Sequence, residues 1–515
     1  MQMVGFFDHG ARLWPDRDCF IEQGRRLTYR EVSVASHRVA NGLRAEGVGI
    51  GSRVAVLSGN DGLAFVAVLG ALRAGATWLP VNARAVLAEM LAFLVRHRCD
   101  ALFFHGSFEE TARVLARDAP CVRLLVCIDR ELPEARSMKA WSAAYPAQCA
   151  DAEIDRDHIA VIKPTGGTTG TAKSVMQTHG NFETMVATFL ACMPFDQPPV
   201  HLVAAPMTHG AGSICFPLFA CGASNVLLPK ADPGAVLRCM AEHRVSVLFL
   251  PPTVIYMLLA HPQLREHDYS ALKYFIYAAA PMSADKLRAA IEVFGPVMAQ
   301  TYGQAEAPML CTYLAPRDHR PDAPALTHRL LSCGRPTPFT RVEIMDDAGA
   351  LLPPGEKGEI VVRGNLVFAG YFEDAEANRE AAMHGWHHTG DIGYCDDDGF
   401  IYIVDRKKDM IITGGFNVFP SEIEQVIWSH AAVQDCAVIG VPDEKWGEAV
   451  KAVVELKPGM EASTAELIEL CRHRLGGVKT PKSVEFWPVL PRSPVGKVLK
   501  KDIRQKFWTD RQRKV

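Results

Sequence analysis

Short apolar runs separated by turn residues recur along the first two-thirds of the chain. The run RVAVLS, starting at Arg53, is followed by a longer segment rich in alanine and leucine and then by TWLPVN, a pattern that predicts strand, helix and strand. The same punctuation returns at AVIKPTGG, HLVAAPMTHG, SVLFLPPTV, YFIYAAAPM and VMAQTYGQAE, each an apolar run breaking into Gly, Pro, Thr or Ala. In sheets joined by helical crossovers, ligands bind where strand ends release their loops, so these breaks are where chemistry is expected.

After Ser332 the texture changes. RVEIMDDAGALLPPGEKGEIVVRG and GYCDDDGFIYIVDR alternate apolar and polar residues around the turn pairs Pro354-Gly355 and Asp398-Gly399, which predicts antiparallel hairpins. From Met410 onward, SEIEQVIWSH, CAVIGV, AVKAVVEL and TAELIELCRHRL predict a separate compact α/β module. The expected fold class is therefore α/β: a large N-terminal domain over residues 1–405, made of α/β subdomains and a β-rich, barrel-like subdomain, a connector at 406–409, and a small α/β domain over 410–515.

At 515 residues the chain exceeds one compact core, in keeping with that division. Its 55 basic and 58 acidic side chains leave a net charge of −3, which argues against a general nucleic-acid or membrane-surface role. No apolar stretch of about 20 residues and no secretory leader is evident, so a cytoplasmic protein without a transmembrane segment is expected. A homo-oligomer is compatible with the sequence. The 14 cysteines form no Cys-x-x-Cys pair and have no histidines at zinc-ligand spacing, so buried structural thiols are expected.

The segment Thr165–Lys173 reads TGGTTGTAK after a predicted strand. Glycines let backbone N–H groups turn onto phosphate oxygens, threonine hydroxyls add donors, and a lysine adds positive charge. It is not a Walker A loop, which needs its last glycine and lysine adjacent, whereas two residues part Gly170 from Lys173. A plain surface loop is the competing reading of this segment alone.

Four further blocks change that balance: Tyr302-Gly303-Gln304-Ala305-Glu306, Thr389-Gly390-Asp391, DRKKDMIITGGFNVFP from Asp405, and SPVGKVLKK from Ser493. With them the sequence resembles the adenylate-forming superfamily of acyl-CoA synthetases, adenylation domains and luciferases, in the family's block order from Thr165 to Lys501. The resemblance implies that Thr165, Gly166, Gly167, Thr168, Thr169, Gly170 and Lys173 hold the triphosphate of ATP. It gives Tyr302, beside Gly303, to stacking on adenine, and Glu306 with Thr168 to magnesium. Ala279 and Ala280 flank the adenine through their backbone, and Asp391 and Arg406 take the ribose. Lys497 is the implied catalytic lysine, placed to stabilise charge that grows as a carboxylate attacks the α-phosphorus.

The resemblance further implies a mobile C-terminal domain that turns about Lys408 between two half-reactions. Gly414 and Gly415 would then approach the pantetheine arm of coenzyme A, with Gly477 and Lys479 near its nucleotide end. His209 matches an aromatic gate between the acyl pocket and the thiol tunnel. The loop departs from the common pattern at Gly166, Ala172 and Ser174, which implies altered flexibility with binding retained. Ala305 replaces a threonine that donates to the α-phosphate, leaving Thr301 or Gln304 as substitute donors.

The stretches GAGSICFPLF, FLPPTVIYM and EAPML, expected to line the acyl pocket, contain no Arg or Lys. The implied activity is thus ATP-dependent synthesis of acyl-CoA from a hydrophobic monocarboxylic acid, fatty or aromatic, through an acyl-AMP. Two rivals remain at this point. One is a stand-alone adenylating enzyme that delivers to a carrier protein or another nucleophile, disfavoured by the lack of a carrier domain after Lys501. The other is a catalytically silent relative, which only Ala305 favours.

Overall fold

The computed structural model describes residues 1–149, 152–164, 173–319, 324–492 and 498–508. The predicted strand–helix–strand units are present. Strands Arg53–Leu57, Thr77–Val81 and Ala101–Phe104 run parallel at the middle of an eight-stranded sheet. Thr77–Val81 continues that sheet to Ile159–Pro164, which pairs antiparallel with Ser174–Thr178. A second sheet of nine strands has the parallel set Val200–Val203, Val247–Leu250, Tyr274–Tyr277 and Met298–Tyr302 at its middle.

Between the two sheets lies the largest apolar core, in which Val56 and Val161 of one sheet and Val203 and Ile276 of the other are buried with Phe65, Phe182, Phe216 and Phe219. Helices that are apolar all round make this possible, because a helix packed on both sides keeps no solvent face. Helix Gly62–Ala74 is one: the Asp61 side chain accepts from the Leu63 N–H at 2.7 Å at its start, and Gly75, at φ 84°, ends it. Helix His179–Cys192 buries Phe182, Met185, Val186 and Phe189 in the same core and opens with a capping box between Thr178 and Asn181.

The alternating segments form a four-stranded antiparallel sheet, Arg341–Met345, Gly358–Arg363, His387–Cys395 and Ile401–Arg406. The smaller C-terminal domain pairs Val433–Asp443 with Gly447–Leu456 and packs helices Pro420–Trp428 and Thr464–Leu475 on one face through Ile423, Ile427, Val450 and Leu467. Ala437, Ile439 and Val453 on the other face meet Leu490 and Ile503. All fourteen cysteines are free, each buried or half-buried. No helix among the described residues is long and apolar enough to cross a membrane.

Candidate active site

The loop that leaves Tyr302 at the end of its strand meets strand His387–Cys395, where the Gln304 amide donates to Thr389 O at 2.9 Å. Asp391 is the centre of the polar part. It is 3% exposed, and its Oδ2 accepts from the Tyr302 hydroxyl at 2.7 Å and the Gln304 amide at 2.8 Å, while Arg406 Nε lies 2.5 Å from Oδ1. A carboxylate has about four acceptor positions, so this set fixes Asp391 and still leaves room for a hydroxyl donor. Asp391 is the first cause that holds the Arg406 guanidinium even more firmly protonated. Burial, then Asp391, raises the Tyr302 phenol, which therefore stays a donor.

Glu306 sits in the loop beyond Tyr302, where its Oε1 accepts from the Tyr371 hydroxyl at 2.8 Å. Lys173 Nζ lies 4.9 Å from the centre of the same tyrosine ring, so Lys173, Tyr371 and Glu306 form a second group. Tyr371 carried no motif and was not anticipated. Glu306 fits magnesium held by one carboxylate, with phosphate and water oxygens completing the shell. Among the described residues no three His, Cys, Asp or Glu side chains cluster to hold a metal by themselves.

Gly303 is required by packing: a Cβ there would stand 2.5 Å from Met309 N and 2.7 Å from Ala307 O, because the chain folds back on itself. The Gln304 N–H donates to Ala307 O at 2.9 Å and the Cys311 N–H to Tyr302 O at 2.8 Å, which closes that turn. Ala279 adopts φ 75°, a left-handed backbone that alanine rarely accepts and that marks the loop after Tyr274–Tyr277 as constrained. Ala280 follows it, half-buried.

A lysine that sequence reasoning passed over enters this cleft. Lys163 ends strand Ile159–Pro164 on the face of Val161, which packs in the core between the sheets. Burial lowers its pKa to about 8, opposed by Glu306. His209, half-buried at the start of helix Gly210–Ala220, shares a hydrogen bond of 3.0 Å with the Thr208 hydroxyl. Burial, then Lys163 and Arg84, lowers its pKa to about 4, which leaves a neutral imidazole. The available signal for Lys163 was a charge closing an otherwise apolar strand.

Beside the cleft runs an apolar slot of about 10 Å³. Helix His179–Cys192 and the residue after it supply Met185, Phe189 and Met193; Ile214 and Pro217 come from helix Gly210–Ala220. Ile276, Thr301, Met309 and Leu310 complete it. GAGSICFPLF contributes Ile214 and Pro217 to this slot, and EAPML contributes Met309 and Leu310. Within FLPPTVIYM, Phe249 belongs to the core between the two sheets and Ile255 to a different core. Of the two substitute donors expected for phosphate, Thr301 is buried beside this slot, and the Gln304 amide donates to Asp391 and Thr389 O. Ala305 packs against Val175 and Tyr371.

Lys408 is exposed in the turn Lys407–Asp409. Around it, Arg504 Nη2 lies 2.9 Å from Asp409, Lys500 Nζ lies 2.8 Å from Glu424, and the Ser421 N–H donates to Asp405 at 2.8 Å. Gly414 and Gly415, at φ 58° and 83°, form the exposed turn between Ile411–Thr413 and Phe416–Val418. Lys479 pairs with Glu422, which also holds Lys357 at 3.0 Å, while Gly477 is exposed after the glycine that ends helix Thr464–Leu475. Thr165, Gly166, Gly167, Thr168, Thr169, Gly170 and Lys497 lie outside the described residues.

Sheets, loops and site together define an adenylate-forming enzyme. The chain belongs to the AMP-binding enzyme family, whose model matches residues 7–372, with the AMP-binding enzyme C-terminal domain matching 422–497. It is 42% identical over 379 residues to a medium/long-chain-fatty-acid–CoA ligase, FadD8, of Mycobacterium tuberculosis, a match that covers 72% of this chain and 65% of that protein, under two-thirds of its length. To a feruloyl-CoA synthase of an Amycolatopsis species it is 37% identical, over 96% of this chain and 97% of the other. Among solved structures, an amide bond synthetase, McbA, of Marinactinospora thermotolerans superposes with a TM-score of 0.89 at 30% identity, covering 98% of this chain and all of that one.

Proposed function

We propose that this chain is an ATP-dependent acyl-CoA synthetase acting on a largely apolar carboxylic acid. The observation that carries the reading is the convergence, at one set of strand ends, of the Tyr302–Asp391–Arg406 group, the Lys173–Tyr371–Glu306 group and an apolar slot. Asp391 and Arg406 take the ribose, Tyr302 the adenine face, and Lys173 the phosphates. Glu306 would hold magnesium, which supplies charge neutralisation at the phosphate oxygens. A carboxylate oxygen bonds to the α-phosphorus and the bond to the β-phosphate bridging oxygen breaks, releasing pyrophosphate; Lys497 stabilises the charge that develops. The thiol sulfur then bonds to the acyl carbon and AMP leaves, the thiol proton passing to solvent.

In this reading residues 406–409 form the hinge, about Lys408, between a domain of residues 1–405 and one of 410–515. The ties of Asp409 to Arg504 and of Lys500 to Glu424 are contacts that such a rotation would strain or exchange. Gly414, Gly415, Gly477 and Lys479 serve the coenzyme A half-reaction, for which Lys479 must leave Glu422. The free cysteines favour a reducing compartment and hence the cytoplasm.

Acid-dependent exchange of labelled pyrophosphate into ATP tests the first step. It is expected across a panel of fatty and aromatic acids and should fall on the order of a hundredfold or more in Lys497→Ala. Absence of exchange with every acid would overturn the reading. The likeness to an amide bond synthetase supports one alternative, delivery of the acyl group to an amine. Comparing coenzyme A with amines as acceptors decides between them, since faster amide than thioester formation would displace the ligase reading.

A further inference from the structure

Strand Ile159–Pro164 brings into the cleft a cation that has no fixed counter-ion. Lys163 is directly opposed to Val175 in one antiparallel pair, and Val175 to Tyr371 in the next, so the three side chains form a row on one face of the eight-stranded sheet. Val161 and Gln177, an opposed pair two residues along, project from the same face. That face carries the turn after Tyr302. The Gln177 amide donates to Ala305 O at 2.6 Å, Ala305 packs against Val175 and Tyr371, and the Tyr371 hydroxyl donates to Glu306. Register and contacts together turn Lys163 toward Ala305 and Glu306.

Charge effects place the ammonium more closely. Burial works against its positive form and Glu306 works for it, while Lys163 is the first charge, after burial, that keeps His209 neutral. His209 stands at the start of helix Gly210–Ala220, and a Cβ on Gly210 would lie 3.0 Å from Met309 Sδ, so this helix start abuts the apolar slot. Lys163 thus lies between Glu306 and the slot's edge. No hydrogen bond or ion pair holds its ammonium among the described residues, yet the side chain is only half-buried and its nitrogen is not one of the polar atoms sealed from solvent, so a ligand can reach it. Lys500 is also deeply desolvated, but Glu424 lies 2.8 Å from it. A desolvated cation without a partner is costly, and an arriving anion relieves that cost.

We propose that Lys163 is a substrate-binding residue that receives the carboxylate of the acid and holds it beside the α-phosphate, with the apolar body of the acid directed toward the slot. The inference rests on the acyl-activating reading and adds to it the group that binds the acid's charged end. In that reading the phosphates already have Lys173 and the magnesium of Glu306, whereas the carboxylate must approach an anionic centre along apolar walls. A cation on that approach offsets the repulsion between the two anions before the new bond forms. Lys163 transfers no proton; it supplies charge and position. Once the acyl-AMP has formed, the carboxylate charge is gone and the contact weakens.

Pyrophosphate exchange in Lys163→Met and Lys163→Arg tests this, with KM for acid and for ATP read separately using the fatty or aromatic acid that exchanges fastest. Methionine removes the charge while keeping an unbranched side chain, and arginine keeps the charge. In Lys163→Met, KM for the acid should rise about tenfold or more while KM for ATP stays within about twofold, and Lys163→Arg should recover most of the loss. An unchanged KM for the acid, or an equal or larger rise in KM for ATP, overturns the inference and leaves acid activation standing. Absence of exchange with every acid overturns both. If Lys163→Met does not fold, Lys163→Gln takes its place under the same criteria, and an acid KM in Lys163→Arg as high as in Lys163→Gln contradicts the role given to the charge.

Discussion

The two ends of the site are built on opposite plans. Around Asp391, both carboxylate oxygens, the Tyr302 hydroxyl, the Gln304 amide and the Arg406 guanidinium are joined within 2.9 Å. Around Met185, Met193 and Met309, apolar side chains enclose a slot with space for about one water molecule. A nucleotide is the same in every turnover, so its contacts can be preset and rigid, whereas an acyl body varies in shape and is better met by side chains that move. In the proposed function, chemistry is held at the saturated end and choice of substrate at the end that yields.

Substitutions at Asp391 should separate the two ends most sharply. Asp391→Asn keeps the shape but leaves Arg406 without its counter-charge and exchanges an acceptor for a donor facing Tyr302 or Gln304. Pyrophosphate exchange is expected to fall by roughly a hundredfold or more with every acid alike. Because the Arg406 side chain is 38% exposed, the accompanying loss of stability should stay near 1–3 kcal/mol. A loss confined to some acids would show that the ends are not independent. Gly303→Ala tests their junction, since its Cβ would collide with Met309 N and Ala307 O and push both the nucleotide loop and the slot edge. It should cost about 1–3 kcal/mol of stability and raise KM for ATP and acid together. A melting temperature and kinetics matching the parent would refute the close packing assigned to this turn.

Lys163 offers a pH-dependent test at the boundary of the two regions. With a folded pKa of about 8, its positive charge beside Glu306 and His209 is present at neutral pH and fades as pH rises through that value. Exchange should therefore show an alkaline decline near pH 8 that Lys163→Met removes, with a several-fold lower rate at neutral pH. The stability sign is opposite. An unfolded lysine titrates near about 10.4, so between roughly pH 8 and 10 the unfolded chain binds more protons and folding stability rises with pH. In Lys163→Met that rise should disappear from denaturation curves, and its persistence would place the titrating group elsewhere.

Legibility in the sequence divides along the same line. The strands were readable because each is a short apolar run broken by Gly, Pro or Thr, and Arg53–Leu57, Tyr274–Tyr277 and Met298–Tyr302 fall where that punctuation predicts. Asp391, Arg406 and Glu306 could be named because they sit in recognisable blocks, and the structure pairs Asp391 with Arg406. The slot was only half readable. Helix His179–Cys192 buries residues on several sides, so no single periodic face marks those that line the slot, and Met185, Phe189 and Met193 were missed. FLPPTVIYM is divided for a related reason: an apolar helix after a strand can cover either sheet face, and Phe249 packs between the sheets while Ile255 packs in the other core. Tyr371 and Glu306 are brought together by an antiparallel pairing of Gly370–Tyr371 with Ser174–Thr178 that no local pattern announces.

The smallest expected effect is also the most selective. Met193 is fully buried just after helix His179–Cys192, where it lines the slot. Met193→Leu nearly conserves volume, so its stability cost should stay below about 1.5 kcal/mol, but it replaces a flexible thioether with a branched side chain that has fewer ways to move aside. If the slot admits acids by rearranging methionines, KM for the longest accepted acid should rise several-fold while short acids and ATP are hardly affected. The measurement is a chain-length series of saturated acids in the parent and the variant. A uniform change across the series would assign Met193 to the general core, and a change in KM for ATP would mean that the yielding end reaches further into the saturated one than the geometry around Asp391 implies.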